Sequence, residues 1–296
     1  MIATTRGTLP KKRNALQSYE TQFRNPTDIA LQLTGRDYIS HAQISTYQRC
    51  PLQFFFRYVA GLEPEFVSSS LVFGGAIHAA IESHMQSVME GAEPPPLDEL
   101  VDVYERAVNN ESDAPIRFGK GETVDSLRDL AVRMLTAFRA SEVSKLDTRI
   151  VAIEETIRGP VIPDCPDVLG RLDLVTLDGD SLLITDFKTS RSSWNAENVR
   201  QAAPQQLLYT ELVQPLAAAF GDRPIRVEWI VLSKTKQPKV ERHQLTPDSA
   251  QIKRTKQIVR RVWQAIVAGH FYPSPSAMNC SSCPYRTACD QWEADT

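Results

Sequence analysis

Over residues 73–89 apolar side chains return every three or four positions, at Ile77, Ile81, Met85 and Val88, and this spacing predicts a helix with one buried face. Upstream, Ser45 reads as a helix N-cap. Tyr47, Phe54, Phe55 and Tyr58 give an apolar surface to a helical segment interrupted near Cys50 and Pro51. Pro94, Pro95 and Pro96 end the longer helix. The patterns Leu97/Leu100/Val101/Tyr104 and Val124/Leu127/Ala131/Leu135/Phe138 then make residues from about 97 to 146 an all-helical insertion. Beyond it the period shortens to two: residues 150–157, 168–177 and 181–188 alternate as sheet strands, with Asp178 and Gly179 turning tightly between the last two. A helix over 197–220, strands at 227–232 and 240–245, and a long helix over 247–268 complete an α/β body. Residues 1–36 show little periodicity and read as a flexible extension, and the tail over 271–292 is loop-like.

With 296 residues, 42% hydrophobic and 23% charged, the chain is long enough for one large domain, taken as residues 37–296. No apolar run approaches the roughly 18 to 20 residues of a membrane span, and the N-terminus lacks the apolar centre of a secretory signal, so a cytoplasmic protein without membrane association is expected. Arg6, Lys11, Lys12, Arg13 and Arg24 face a single acid, Glu20, a bias shared by organelle-targeting leaders and short solvated tails. A net charge of -3 gives no global attraction to nucleic acid, so any such contact rests on local basic patches. There is no phosphate-binding loop of the GxxxxGK[ST] kind, hence no ATP motor.

The period of two puts Asp186 and Lys188 of Ile184-Thr185-Asp186-Phe187-Lys188 on the same face of one strand. The preceding hairpin strand carries Gly170-Arg171-Leu172-Asp173 and can bring Asp173 beside Asp186. Two carboxylates and an ammonium in one place suit a hard divalent ion with an activated water; a bare Asp-x-Lys is otherwise a surface ion pair. His78 and Glu82, four apart, share a helix face behind the small residues Gly74, Gly75 and Ala76, and Gln205 and Tyr209 are again four apart on the helix after the strand. Glu154 and Glu155 read equally as site acids or as a solvated strand edge.

In this order, Gly75-Ala-Ile-His78-Ala-Ala-Ile-Glu82, Gly170-Arg-Leu-Asp173, Asp186-Phe-Lys188-Thr-Ser and Gln205-Gln-Leu-Leu-Tyr209 resemble the RecB-like branch of the PD-(D/E)XK nucleases. The resemblance implies a restriction-endonuclease-like core, a mixed central sheet flanked by helices. It implies His78, Asp173, Asp186 and the Phe187 carbonyl as ligands of Mg2+ or Mn2+, with Lys188 catalytic beside Asp173 and Asp186. Gln205 and Tyr209 would support the site near DNA, while Glu82 reads either as a neighbour of the site or as an acid of the helix surface. Leu172 stands where the superfamily's name has proline.

Cys280-x2-Cys283-x5-Cys289 offers three thiols, too few to close a tetrahedral site, so a fourth ligand must come from elsewhere. Cys50, in Ile44-Ser-Thr-Tyr-Gln-Arg-Cys50-Pro-Leu-Gln-Phe54, resembles the N-terminal cysteine of the iron-sulfur subgroup of these nucleases, which includes CRISPR-associated spacer-processing nucleases and AddB-type nuclease domains. The resemblance implies a 4Fe-4S cluster on Cys50, Cys280, Cys283 and Cys289. Spacing alone also allows zinc. Cys165 falls outside the pattern.

Basic residues on the last long helix (Lys253, Arg254, Lys256, Arg260, Arg261) and around Lys234, Lys236 and Lys239 either track phosphates or form solvated faces. Arg191 and Trp194, just after the Asp-x-Lys strand, are the better candidates for phosphate contact and base stacking. The expected function is a metal-dependent exonuclease acting on single-stranded DNA or frayed ends, in repair, recombination or CRISPR-type processing, with a helicase or recombination partner for long duplexes. The alternatives are a non-catalytic iron-sulfur scaffold on DNA and a structure-specific endonuclease.

Overall fold

The computed structural model describes residues 25–110 and 114–292. The basic N-terminal residues Arg6, Lys11, Lys12, Arg13 and Arg24 therefore lie outside the described residues, as does most of the expected extension. In chain order come α1 (Pro26–Thr34), β1 (Tyr38–Ser40), α2 (His41–Arg49), α3 (Pro51–Phe54), β2 (Val67–Ser68) and α4 (Ser69–Met89). The insertion carries α5 (Leu97–Asn110), β3 (Ile116–Arg117) and α6 (Val124–Ala140). Then follow β4 (Arg149–Gly159), β5 (Asp167–Asp178), β6 (Ser181–Ser190), α7 (Ala196–Ala219), β7 (Ile225–Ser233), β8 (Val240–Leu245), α8 (Ser249–Val267), α9 (Ala277–Ser281) and α10 (Arg286–Asp290). No helix of the described residues is long and apolar enough to cross a membrane.

Four local expectations change, the first being that the tail over 271–292, expected as loop, carries the short helices α9 and α10. Residues 26–34 are helical where the sequence suggests a loose extension: the Asn25 side chain caps Thr27 N–H, Pro26 occupies the first turn and Gly35 ends the helix at a φ of 68°. Ser40, not Ser45, caps α2. Its hydroxyl accepts from Gln43 N–H while the Gln43 side chain accepts from Ser40 N–H at 2.7 Å, a reciprocal box that leaves Ser45 inside the helix. The insertion is also not wholly helical, because β2 and β3 pair in parallel over Val67/Ile116 and Ser68/Arg117. Two residues are too short a strand to leave a periodic signature.

Contacts divide the chain into two compact units, a finer division than the single domain read from the sequence. The larger spans Pro64–Val161 and Val168–Ile258. Its strands run β4-β5-β6-β7-β8, antiparallel except for the β6–β7 pair, whose parallel pairing requires a long crossover, supplied by α7. Phe187, Ile230, Leu232 and Leu174 of the sheet pack on Phe73, Ile77 and Ile81 of α4, Tyr104 of α5, and Leu135 and Phe138 of α6 in one apolar core. This core anchors the helix that carries His78 and the strand that carries Asp186.

The smaller unit takes in the described residues up to Glu63, Ile162–Asp167 and the described residues from Val259. Segments 223 to 230 positions apart are stitched together within it: Tyr47 Oη donates to the His270 carbonyl at 2.7 Å, and Asn279 Nδ2 to the Arg49 carbonyl at 3.1 Å. Leu52 N–H donates to the Tyr272 carbonyl, and Ser274 N–H to Cys50 Sγ at 3.4 Å. Leu52, Phe56 and Tyr285 form its small core, with Cys50, Cys283, Cys289 and Trp292 packed around them.

Within the larger unit, buried His84 donates from Nε2 to the Ser144 carbonyl at 3.0 Å and stacks edge-on against Phe138, while Nδ1 has no partner. Burial lowers its pKa, partly countered by the Ser144 bond and reinforced by Arg139. A lowered histidine pKa means the unfolded chain binds the extra proton first. Stability contributed at His84 is therefore intact above about pH 6.5 and lost as pH falls. Melting temperatures taken between about pH 7 and pH 5 should fall less steeply for His84→Gln, which keeps a donor for Ser144, than for the parent chain. Parallel curves would show that His84 is not the titrating group.

Candidate active site

The site begins where the β5–β6 ladder stops. Pairing runs from Asp178/Ser181 to Leu174/Thr185, and at the next position Asp173 Oδ2 accepts from Phe187 N–H at 2.8 Å. A side-chain carboxylate thus takes an amide that a longer ladder would have used. Asp186, 3% exposed, faces Lys188 two residues on: Nζ donates to Oδ1 at 2.9 Å and lies 2.7 Å from Oδ2. Oδ2 nevertheless has no partner in hydrogen-bonding geometry, so a buried anionic oxygen keeps its lone pairs available.

His78, on α4, places Nδ1 3.4 Å from Asp173 Oδ2. The third member of this group is Glu154 on β4. Among the described residues, His78, Glu154 and Asp173 are the one set of three or more that brings ligand atoms within 4.8 Å of one another. Glu154 lies across from Asp173, between the Ile153/Leu174 and Glu155/Leu172 pairs, with a φ of 49° that non-glycine residues rarely adopt. Arg171 Nε holds its carboxylate at 2.6 Å. An imidazole and two carboxylates, next to the orphaned Asp186 oxygen, form a donor set that fits Mg2+ or Mn2+.

Electrostatics agree with that fit. Burial, the Asp173 charge and Glu82 push Glu154 up to about 7, against the opposing pull of Arg171. Burial likewise raises Asp186, with Lys188 pulling it down and Asp173 pushing it up. Burial opposes the Lys188 charge, yet Asp186 outweighs it and Lys188 is raised. The cluster therefore carries more negative charge than its single ammonium balances.

Gln205 and Tyr209 reach the site from α7. Gln205 Nε2 contacts Tyr209 Oη at 3.3 Å and Asp186 Oδ1 at 3.5 Å. Tyr209 explains the glycine of the Gly-Arg-Leu-Asp segment: a Cβ at Gly170 would sit 2.6 Å from Tyr209 Cε1. Gly74 is different, since a Cβ there would meet Thr189 Oγ1 at an ordinary 3.6 Å. Glu82 lies one turn beyond His78, close enough to raise Glu154, and is half-buried. Arg191 is exposed and meets Glu122 at 3.5 Å. Trp194 is half-buried, its ring 6.3 Å from Trp229 and 6.0 Å from His243, with its N–H held by Glu241.

In the smaller unit Cys50, Cys280, Cys283 and Cys289 are half-buried and in no disulfide. Burial raises Cys289, and Cys50, Cys283 and Cys280 are all near enough to add to the rise. Cys165 is buried and pushed up to about 11, first by burial. Glu154 is the residue whose part the sequence left open, and its only signal was its place one strand before Gly170-Arg-Leu-Asp173.

Residues 38–290 match the family described as the PD-(D/E)XK nuclease superfamily. A crystal structure from Eubacterium rectale, of a protein named as a candidate exonuclease, is 14% identical, with a TM-score of 0.54 over 93% of this chain and 95% of that one. SSO0001 is 12% identical, with a TM-score of 0.34 over 84% of this chain and 94% of that one, a likeness too distant to argue from. No curated protein matches the chain. The chain belongs to the PD-(D/E)XK nuclease superfamily. Its mixed sheet with flanking helices is consistent with the core of that superfamily, whose members hydrolyse phosphodiester bonds with divalent metals such as Mg2+ or Mn2+.

The glycine at position 170 should be irreplaceable even by alanine. Gly170→Ala is expected to cost about 1 to 3 kcal/mol, because Tyr209 must leave the strand and take Gln205 away from Asp186. Denaturant titration checks the stability; a midpoint equal to that of the parent would show that the ring moves freely.

Proposed function

We propose that the chain is a metal-dependent deoxyribonuclease that degrades single-stranded DNA or frayed ends from a terminus. The observation that carries this reading is the convergence of His78, Glu154 and Asp173 beside the buried Asp186–Lys188 pair. His78, Asp173 and Glu154 would hold the ion, with Asp186 and the Phe187 carbonyl closing its shell. A bound Mg2+ or Mn2+ supplies Lewis acidity at a phosphoryl oxygen and an acidified water. Lys188, kept protonated by Asp186, directs its ammonium at the water and the negative charge gathering on the phosphate. Gln205 orients Asp186, and Tyr209 keeps Gln205 and the β5 backbone in place. Arg191 and Trp194 lie beyond the end of β6, along the course of a bound strand. A helicase partner would open long duplexes for the enzyme, in repair, recombination or CRISPR-type processing.

The same reading assigns a 4Fe-4S cluster to Cys50, Cys280, Cys283 and Cys289. Burial lifts the Cys289 thiol and the charges of Cys50, Cys283 and Cys280 add to the rise, a crowding of sulfur that bound ferric and ferrous iron would offset. None of the proposed catalytic residues lies among them, so the cluster's work is to hold together chain segments distant in sequence.

End-labelled single- and double-stranded DNA with Mg2+ or Mn2+ tests the first reading. Asp186→Asn and Lys188→Ala should each slow cleavage by about a hundredfold or more while preserving the melting temperature. Cleavage at the parent rate by either variant overturns the assignment.

Protein prepared without oxygen should be brown and carry about four irons per chain. Cys289→Ala should lose the iron and melt at lower temperature. Stoichiometric zinc without visible absorbance would rule the cluster out.

A further inference from the structure

One cleft in the larger unit is not used by the chemistry above. It has a volume of about 370 Å³, and its rim holds Arg133, Arg191, Lys234 and Lys236 against a single acid, Glu122, with Phe73 at its base. Four cations facing one carboxylate leave a local excess of three positive charges on a chain whose net charge is -3. Among the described residues no carboxylate closes a salt bridge with Arg133, Lys234 or Lys236. Lys234 Nζ instead lies over the Phe73 ring at 4.6 Å. Glu122 is already engaged: it accepts from Ser69 Oγ at 2.6 Å and from Gly119 N–H at 2.8 Å, and it reaches Arg191 at 3.5 Å. Those hydrogen bonds hold it ionised, so it orients Arg191 without neutralising the cleft.

The cleft's position follows from the strands. It opens at the carboxyl ends of the parallel β6–β7 pair, where Lys234 N–H donates to the Ser190 carbonyl at 2.6 Å, and open α/β sheets bind ligands at such ends. Lys188 is two residues before Ser190. Along α4, Ser70 lines the cleft and His78 follows eight positions later, about 12 Å down the helix axis. A stacked strand covers that span in about three to four nucleotides, at about 3.4 Å each.

We propose that this cleft is a phosphate subsite for the DNA strand, gripping its backbone three to four nucleotides from the phosphodiester held at the metal centre. The inference rests on the nuclease reading and names where that enzyme holds its substrate. Apolar rings and unpaired cations, with a single pre-engaged acid, match a sugar-phosphate backbone. Burial and the neighbouring Arg191 lower the pKa of Lys234, a repulsion that a bound phosphate would relieve. The insertion then has a part in binding, since Glu122, Arg133 and the α6 side of the cleft all come from it.

The test is fluorescence anisotropy of labelled twelve-nucleotide oligo-dT with Ca2+ in place of the catalytic metal across a salt series, with the dinucleotide pTpT as competitor. Arg191→Ala and the Lys234→Ala/Lys236→Ala double variant should each weaken oligomer binding by about tenfold. Each should also flatten the slope of log K against log salt by about 0.7 for every phosphate no longer neutralised. They should leave pTpT affinity unchanged, because a dinucleotide cannot reach from the metal centre to the cleft. Arg106→Ala, a charge removed elsewhere on the surface, should do nothing. Arg191 and Lys236 are exposed, so these variants are expected to fold. Unchanged oligomer affinity and slope in both variants would overturn the subsite, and so would an equal loss on pTpT. Metal-dependent hydrolysis of thymidine 5′-(p-nitrophenyl) phosphate, which occupies only the metal centre, should persist in the Lys234→Ala/Lys236→Ala double variant. If the parent chain itself cannot hydrolyse that ester with Mn2+, the nuclease reading fails, and the anisotropy data still decide the cleft.

Discussion

Two carboxylates of like sign are brought together where β5 and β6 part, and the surrounding residues make that juxtaposition tolerable. Asp173 leans on the Phe187 amide and on His78, while Asp186 leans on Lys188 and Gln205. Glu154 adds a third acid and brings Arg171 as its counterion. Even so, Asp186 and Glu154 are held above the ordinary carboxylate range. Such a site has a deficit of positive charge that a divalent ion makes good, and its acids need little rearrangement to accept one.

The constraint reaches into the fold. An ionic cluster can be kept this dry only if the elements bearing it cannot shift, and the core of α4, α5, α6 and the sheet supplies that stiffness. The contact of Tyr209 with Gly170 does the same on the side of α7. In the sequence the insertion is no more than a run of helical patterns. In the structure its helices support the helix of His78, and its Glu122 positions Arg191.

What could be read from the sequence depended on how each residue announces itself. Asp186 and Lys188 are legible because the period of two fixes their common face, and His78 because the helix pattern around it is strong. Glu154 breaks the regular strand with a left-handed backbone, so no periodicity argument could assign its direction. The cleft was illegible for another reason: its cations come from three separate stretches of chain, and only tertiary packing shows that they line one cleft with a single acid. Helix α1 did carry its signals, the asparagine cap, the proline and the terminal glycine, but no clear apolar stripe connects them. Cys50 is a related case. Its spacing to the other three cysteines says nothing by itself, and its neighbourhood is visible only through the bonds from Ser274 and Asn279.

The smaller unit is assembled from both sides of the larger one in sequence, and this has a consequence for synthesis on the ribosome. The larger unit has all its strands once Leu245 has emerged, so it can begin to consolidate while the tail is still in the exit tunnel. The smaller unit must wait with Leu52 and Phe56 uncovered until Tyr285 arrives to pack on them. During that interval the emerging chain shows an apolar surface to solvent, the condition under which incompletely folded chains are most prone to aggregate.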